Sequence, residues 1–427
     1  MPVLVIMFVS ILPFLLGYHS SIIAGALIPI SHEFRLTFLE EGGIVSIFLL
    51  GALFGSAVGG FCADKIGRKK TLFLATILFI FGNLFLFFAV QKWDFWMGRW
   101  WIGFGAGLTS IAVPLYFSEV IPNRYRSMVL SGYQLSITIG ILIGYCVGYF
   151  FISEEDWRTM VGFSFFLETI VLCSLFWMPE TPIYLLEKDE KKAEEIYRKM
   201  GFLEKEKISK KVEELFTWKK YIGKGLFGAL GVGILLSLFQ QVTGINTVIY
   251  YAPMILLSNG VPSPSYALLI TMGIGVVNVL MTIWALFLVV KMKRKTLLLI
   301  GLWGMFFSLT LLSFSSFLPK PFLMGSVIIY VAFFAVSLGP LLWVIATELY
   351  PPKMRGEAMS IIAAVNWLSN YGISFSFLSL LNFLGNGKTF FLYSCMTLLA
   401  IFFVWKKLPE TKGQSWEHIW SFWKKSS

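Results

Sequence analysis

Long apolar runs, each of about 20 residues or more, recur along this chain from one end to the other. They lie at approximately 3–29, 42–62, 71–90, 95–118, 127–151, 157–178, 224–257, 264–290, 295–318, 321–347, 356–383 and 388–406. In a bilayer such a run finds no water for its N–H and C=O groups and satisfies them only as a helix. Twelve runs therefore predict an all-α membrane protein with twelve transmembrane helices. Composition agrees, because only 14% of residues are charged, against about a quarter in soluble domains.

The net charge of +11 is gathered into short segments between the runs. "DKIGRKK", "PNRYRS", the stretch 180–222, "KMKRK" and "PPKMRGE" alternate with "HEFRLTFLEE", "SEEDW" and "SNGVPSPS". Basic loops stay on the cytoplasmic side, so both termini are expected in the cytoplasm of a multi-pass cell-membrane protein. The charge then answers to the bilayer and excludes nucleic acid as a partner. Ala24-Gly25-Ala26 fits a signal-peptide cleavage pattern, but the run before it has no basic start and is about twice the usual length. It reads as a retained first span. Cys62, Cys146, Cys173 and Cys395 fall in or at the ends of runs, with no metal spacing and no disulfide framework. No metal or cofactor is expected.

Between the sixth and seventh runs the composition changes to "EKDEKKAEEIYRKMGFLEKEKISKKVEEL", with Ala193, Ile196, Tyr197 and Met200 at helical spacing. This predicts a cytoplasmic linker of amphipathic helices over 180–222, whose charge is mainly a solvated face. It separates six-helix bundles over 1–179 and 223–407, followed by a tail over 408–427. The bundles repeat. Glu119-Val-Ile-Pro-Asn-Arg-Tyr-Arg126 and Glu348-Leu-Tyr-Pro-Pro-Lys-Met-Arg355 share E-x-x-P-x-x-x-R at an offset of 229, and Arg68-Lys69 is echoed by Arg294-Lys295 at 226. Duplicated six-span halves are the architecture of transporters that rock about a site near the midplane. Glu119 and Glu348 lie where Arg68, Arg126, Arg294 and Arg355 can meet them by bidentate pairing. Such pairs would form a latch that holds when the cytoplasmic side is closed and breaks when it opens.

Gly60-x-x-x-Asp64-Lys65-x-Gly67-Arg68-Lys69 resembles the loop signature of the major facilitator superfamily, and adds Asp64 to the latch. "GRWWIGFGAG", "PLYFSEVIPNRYR", "PETP", "QQVTGINTVIYYAP", "GPLLWVIATELYPPKMRG" and "LPETKGQSWEHI" resemble its sugar porter family. That resemblance implies two pseudo-symmetric six-helix bundles that transport a sugar, with a monomer as the default. Chemistry points the same way, since amides both donate to and accept from sugar hydroxyls without a charge to desolvate. Six lie at membrane depth: Gln134, Gln240, Gln241, Asn246, Asn278 and Asn366. Gln241 and Asn246 would lie about 140° apart on an ideal helix, but Gly244 between them offers a place to unwind. Asn278 has the alternative of bonding a neighbouring helix. Gln134, Trp343 and Asn366 match positions at which sugar porters contact substrate, and Trp343 and Trp367 offer flat walls for a sugar's C–H face. Tyr250 and Tyr251 are expected at an outer gate, with Pro340 in the tenth span.

His19 fills the position that in proton-coupled sugar porters is an aspartate working with the arginine matched by Arg99; passive glucose transporters carry asparagine there. Burial and the permanent Arg99 charge both disfavour an imidazolium, so a neutral His19 would bond much as asparagine does. That favours facilitated diffusion of a hexose or pentose. The alternative is proton symport, in which Glu168, a carboxylate near the middle of the sixth run, works with His19. Related symporters place an acid nearer Ser164, one turn earlier. In the second half the matching loop reads Val290-Lys-Met-Lys293-Arg294-Lys295, without the acid and glycine, so that half of the latch should be weaker. A non-transporting sugar sensor is the reading from another class. An enzyme is not expected, since no nucleophile, base and orienting group are arranged together.

Overall fold

A computed structural model describes residues 2–121, 123–186, 188–199, 224–314, 319–350 and 354–425. The first helices are α1 (Pro2–Phe34), α2 (Phe38–Ile66), α3 (Arg68–Phe87), α4 (Lys92–Val120), α5 (Asn123–Phe151), α6 (Trp157–Gly162) and α7 (Ser164–Trp177). Two short helices follow, α8 (Pro182–Leu186) and α9 (Glu190–Lys199). The second half supplies α10 (Lys224–Val242), α11 (Ile245–Ser258), α12 (Pro264–Lys291), α13 (Arg294–Ser313), α14 (Lys320–Val336), α15 (Leu338–Leu349) and α16 (Arg355–Lys407). Helix α17 (Trp416–Lys425) ends the fold.

Among the described residues eleven helical stretches are long and apolar enough to cross a membrane, against twelve expected runs. The difference lies in α16, which takes in both 356–383 and 388–406 and bends at Gly385, where φ is 77°. Glycine adopts that conformation without a Cβ penalty. Three expected spans are instead interrupted, the sixth at Phe163 between α6 and α7. α10 and α11 part at Gly244, with φ 89°, and α14 and α15 part at Ser337. Pro340, three residues past that last break, has no N–H to give to the preceding turn. Across the sixth span, Asp156 caps α6; the Thr159 hydroxyl and N–H hold its carboxyl below the usual range.

Packing is inverted relative to a soluble protein, as a bilayer solvent requires. Phe150, Phe166, Trp177 and Phe383 are 70, 72, 81 and 86% exposed, while His19, Asn83, Arg99, Glu168, Gln240 and Gln241 are 5% exposed or less. Small residues bring the inner helices close. A Cβ at Gly103 would collide with the Phe48 carbonyl between α4 and α2, and one at Gly17 with the Ile137 carbonyl between α1 and α5. In the first half α4 packs on α2 and α3, and α1 on α5; in the second, α16 packs on α10 and α13. Among the described residues the halves meet chiefly where α2 packs on α16, α5 on α12 and α1 on α11. In the linker Ala193 is buried and Ile196 packs on the core. The side chain of Tyr197, and Met200, lie outside the described residues.

Candidate functional site

Four of the six membrane-depth amides form one hydrogen-bonded network. The interruption at Gly244 turns Asn246 back towards α10, so that its Nδ2 donates to Gln241 Oε1 at 2.7 Å. Gln241 Nε2 donates to Asn366 Oδ1 at 3.1 Å and to Gln240 Oε1 at 3.2 Å. Asn366 Nδ2 returns to Gln240 Oε1 at 2.8 Å. Gln240 Nε2 reaches Leu338 O at 2.8 Å, beside the break between α14 and α15. Three elements, α10–α11, α15 and α16, thus converge on amides that each both donate and accept, and here bond one another. Trp367, next to Asn366, and Trp343 on α15 are half-buried against the same core. Gln134 and Asn278 do not join the network. Neither side chain forms a hydrogen bond among the described residues; they sit on α5 and α12, which pack together where the two halves meet.

In the first half His19 Nε2 lies 3.0 Å from Glu168 Oε1, and the two side chains are 1% and 0% exposed. Asn83 Nδ2 donates to the same oxygen at 2.9 Å, and Ser164 Oγ at 3.0 Å. Ser164 thus hydrogen-bonds the carboxylate that comes from one turn later in the same helix. Glu168 Oε2 is buried without a partner. The expected contact of Arg99 with His19 is made to the main chain: Arg99 Nη1 donates to His19 O at 2.7 Å. The guanidinium also lies 4.7 Å from the Phe48 ring centroid. Among the described residues no carboxylate lies within 4.0 Å of it. The imidazole therefore faces an acid, and the arginine braces the backbone behind it. Asn83 is the participant that sequence reasoning missed, because one asparagine in an apolar run carries no pattern.

At the acid-rich end the halves are shut. A Cβ on Gly42 of α2 would stand 2.9 Å from the Phe375 carbonyl oxygen of α16; within the second half, Tyr251 Oη donates to Ser374 O at 3.0 Å and Asn370 Nδ2 to Tyr250 Oη at 3.3 Å, tying α11 to α16. Tyr145 Oη donates to Ile249 O at 2.8 Å, tying α5 to α11.

The basic motifs form two ion-paired knots. Arg68 Nε and Nη2 both meet Glu119 Oε1, at 3.1 and 3.0 Å, and Nη2 meets Asp64 at 3.0 Å. Arg294 Nε and Nη2 both meet Glu348 Oε1, at 3.3 and 3.0 Å. One expectation changes here: the pairing uses a single carboxylate oxygen and is not bidentate. Each knot joins helices of one half. Both knots are intact while the opposite end is shut. Lacking the acid and glycine, the second knot keeps its arginine pair, and Lys412 Nζ donates to Val290 O and Lys291 O at 2.6 and 3.0 Å. The side chains of Arg126 and Arg355 lie outside the described residues. Glu180 and Glu410 were not anticipated: Glu180 Oε1 accepts from Lys69 N at 3.0 Å, and Glu410 Oε1 from Arg294 N at 2.9 Å, so each caps the helix after its knot. Their offset of 230 residues repeats the internal duplication. Arg68→Ala would leave Glu119 buried without its counter-charge, at a cost of about 3–5 kcal/mol. A melting temperature well below wild type in detergent is expected, and a smaller drop for Arg294→Ala, because Glu348 is 24% exposed.

Residues 5–423 match the sugar (and other) transporter family. The glucose transporter GlcP of Staphylococcus epidermidis is 36% identical, covering 95% of this chain and 93% of that protein. The D-xylose-proton symporter of Escherichia coli is 32% identical, covering 96% and 93%. The inward-open structure of the xylose transporter XylE from E. coli superposes with a TM-score of 0.87 at 29% identity, covering 99% of this chain and all of that one. The chain therefore belongs to the sugar (and other) transporter family, as a multi-pass membrane transporter of the major facilitator fold and not an enzyme.

Proposed function

We propose that the chain carries a hexose or pentose across the cell membrane by alternating access, in symport with a proton held by the Glu168–His19 pair. The observation that carries the coupling is the 3.0 Å contact between those two buried side chains. Passive transport was the expectation for a histidine faced by Arg99 alone; an acid in direct contact with the ring is the condition under which the symport alternative applies. Glu168 holds its three donors on Oε1, which leaves Oε2 to take the proton. The sugar would sit between the amide network and the first half, exchanging its hydroxyls for the bonds that Gln240, Gln241, Asn246 and Asn366 make with one another. Trp343 and Trp367 would flank it, and Gln134 and Asn278 would reach it only when the halves move.

In this reading the basic end is cytoplasmic, both termini lie there, and bundles over 1–179 and 223–407 rock as a monomer. With the acid-rich end shut, the structure would correspond to a state open towards the cytoplasm in which both knots remain paired, contrary to a latch that breaks on opening. Relatives named for glucose and for xylose support the range of substrates. Facilitated diffusion is the second reading, in which His19 serves only as a hydrogen-bond partner of Glu168. Uptake of labelled glucose and xylose into proteoliposomes tests the common core. Saturable flux is expected with either sugar; binding without flux would indicate a sensor, and neither would refute sugar recognition.

A further inference from the structure

Glu41, in the first turn of α2, belongs to neither the amide network nor the His19–Glu168 pair. Its side chain is 5% exposed. Ser31 Oγ, near the end of α1, donates to Oε1, while Oε2 is buried with no partner. A carboxylate half out of water with one donor is costlier as the anion than as the neutral acid. Its position is the shut seam. A Cβ on the next residue, Gly42, would stand 2.9 Å from the Phe375 carbonyl oxygen of α16. The neighbouring carbonyl, of Ser374, accepts from Tyr251 of α11. Parting α2 from α11 and α16 would return water to the carboxylate.

We propose that Glu41 is a proton-binding site at the outer gate, whose protonation permits the seam between α2, α11 and α16 to close. Closing removes hydration from the charged form and little from the neutral acid, so protons favour the shut state and their loss favours opening. The N-terminal dipole of α2 acts on the carboxylate equally in both states and does not alter that balance. Other charged groups around it are already engaged. From α1, His32 pairs with Glu155 at 3.7 Å and Glu33 with Arg158 at 3.3 Å. From α4, Lys92 pairs with Glu40 at 2.8 Å, and Arg99 lies deeper on the His19 carbonyl. From α11 the titratable neighbours are Tyr250 and Tyr251, and from α16 the facing segment around Phe375 carries Tyr371. The site is separate from Glu168 and needs of the proposed transport only that this end face outward.

The test is a spin-label distance between Phe38→Cys and Phe383→Cys, at the outer ends of α2 and α16, in detergent, with the four native cysteines replaced by serine. Lowering the pH from about 8 to about 5 is expected to raise the shut-to-open ratio tenfold or more, a shift of about 1.4 kcal/mol. Glu41→Gln is expected shut at both pH values, and Glu41→Asp, which keeps the acid, to restore the response. Glu168→Gln and His32→Asn are expected to retain it. A wild-type protein with no response, a response surviving in Glu41→Gln, one not restored by Glu41→Asp, or one lost in Glu168→Gln or His32→Asn would each overturn the proposal. Loss in Glu168→Gln alone would assign the gating to the transport proton and leave the symport reading standing.

Discussion

Glu168→Gln is expected to abolish uphill accumulation of sugar while leaving sugar exchange intact. The amide keeps the size of the side chain and one acceptor for the donors on Oε1, from His19, Asn83 and Ser164, so the bundle should still fold. It has no site for a proton on the second oxygen. With one proton per sugar, a gradient of about two pH units is worth about 2.7 kcal/mol, or about a hundredfold concentration ratio. Wild-type proteoliposomes should approach that ratio, and Glu168→Gln vesicles should stop near equal concentrations. Counterflow of labelled sugar against unlabelled sugar asks for no net proton movement, so the variant should perform it at a rate comparable to wild type. Accumulation by the variant would remove Glu168 from the coupling step, and loss of counterflow as well would give it a structural role.

Gln241→Ala is expected to weaken sugar binding about 30- to 140-fold, the loss of two hydrogen bonds of about 1–1.5 kcal/mol each. Gln241 is the centre of the network: it donates to Gln240 and Asn366 and accepts from Asn246. Truncation removes its own contacts and also lets Asn246 and Asn366 turn away from the positions it sets. Titration calorimetry with glucose, galactose, xylose, fructose and polyols should show the loss for every sugar that the wild type binds. Unchanged affinity would refute the assignment of the site. Asn278→Ala, outside the network, provides the contrast; a loss of similar size there would move the site towards α12.

Twelve spans, their duplication and the basic-end motifs were legible because each rests on a run length or a repeated spacing. Gly244 was legible too, since a glycine between two amides on opposite helical faces marks where the chain can turn. What could not be read was rotation. His19 and Glu168 each fall at a definite depth along a span, but only the packed bundle shows that His19 faces the acid and offers Arg99 its carbonyl instead. Asn83 and Glu41 were invisible for a related reason: a single polar residue gains meaning from the helix it meets, and sequence alone does not give that partner. The break at Ser337 was hidden because proline is tolerated in membrane helices, where neighbours re-satisfy the freed backbone. The knots could be anticipated as charge pairs, but spacing identifies such a pair without saying which helices it joins.

Proton movement driven by sugar tests the coupling most directly. Proteoliposomes loaded with a pH-sensitive dye in weak buffer, with no imposed gradient, should acidify inside when glucose or xylose is added outside. The signal should match one proton per sugar and vanish in Glu168→Gln. Sugar entry at the wild-type rate with no change in internal pH would contradict the account and leave facilitated diffusion as the mechanism.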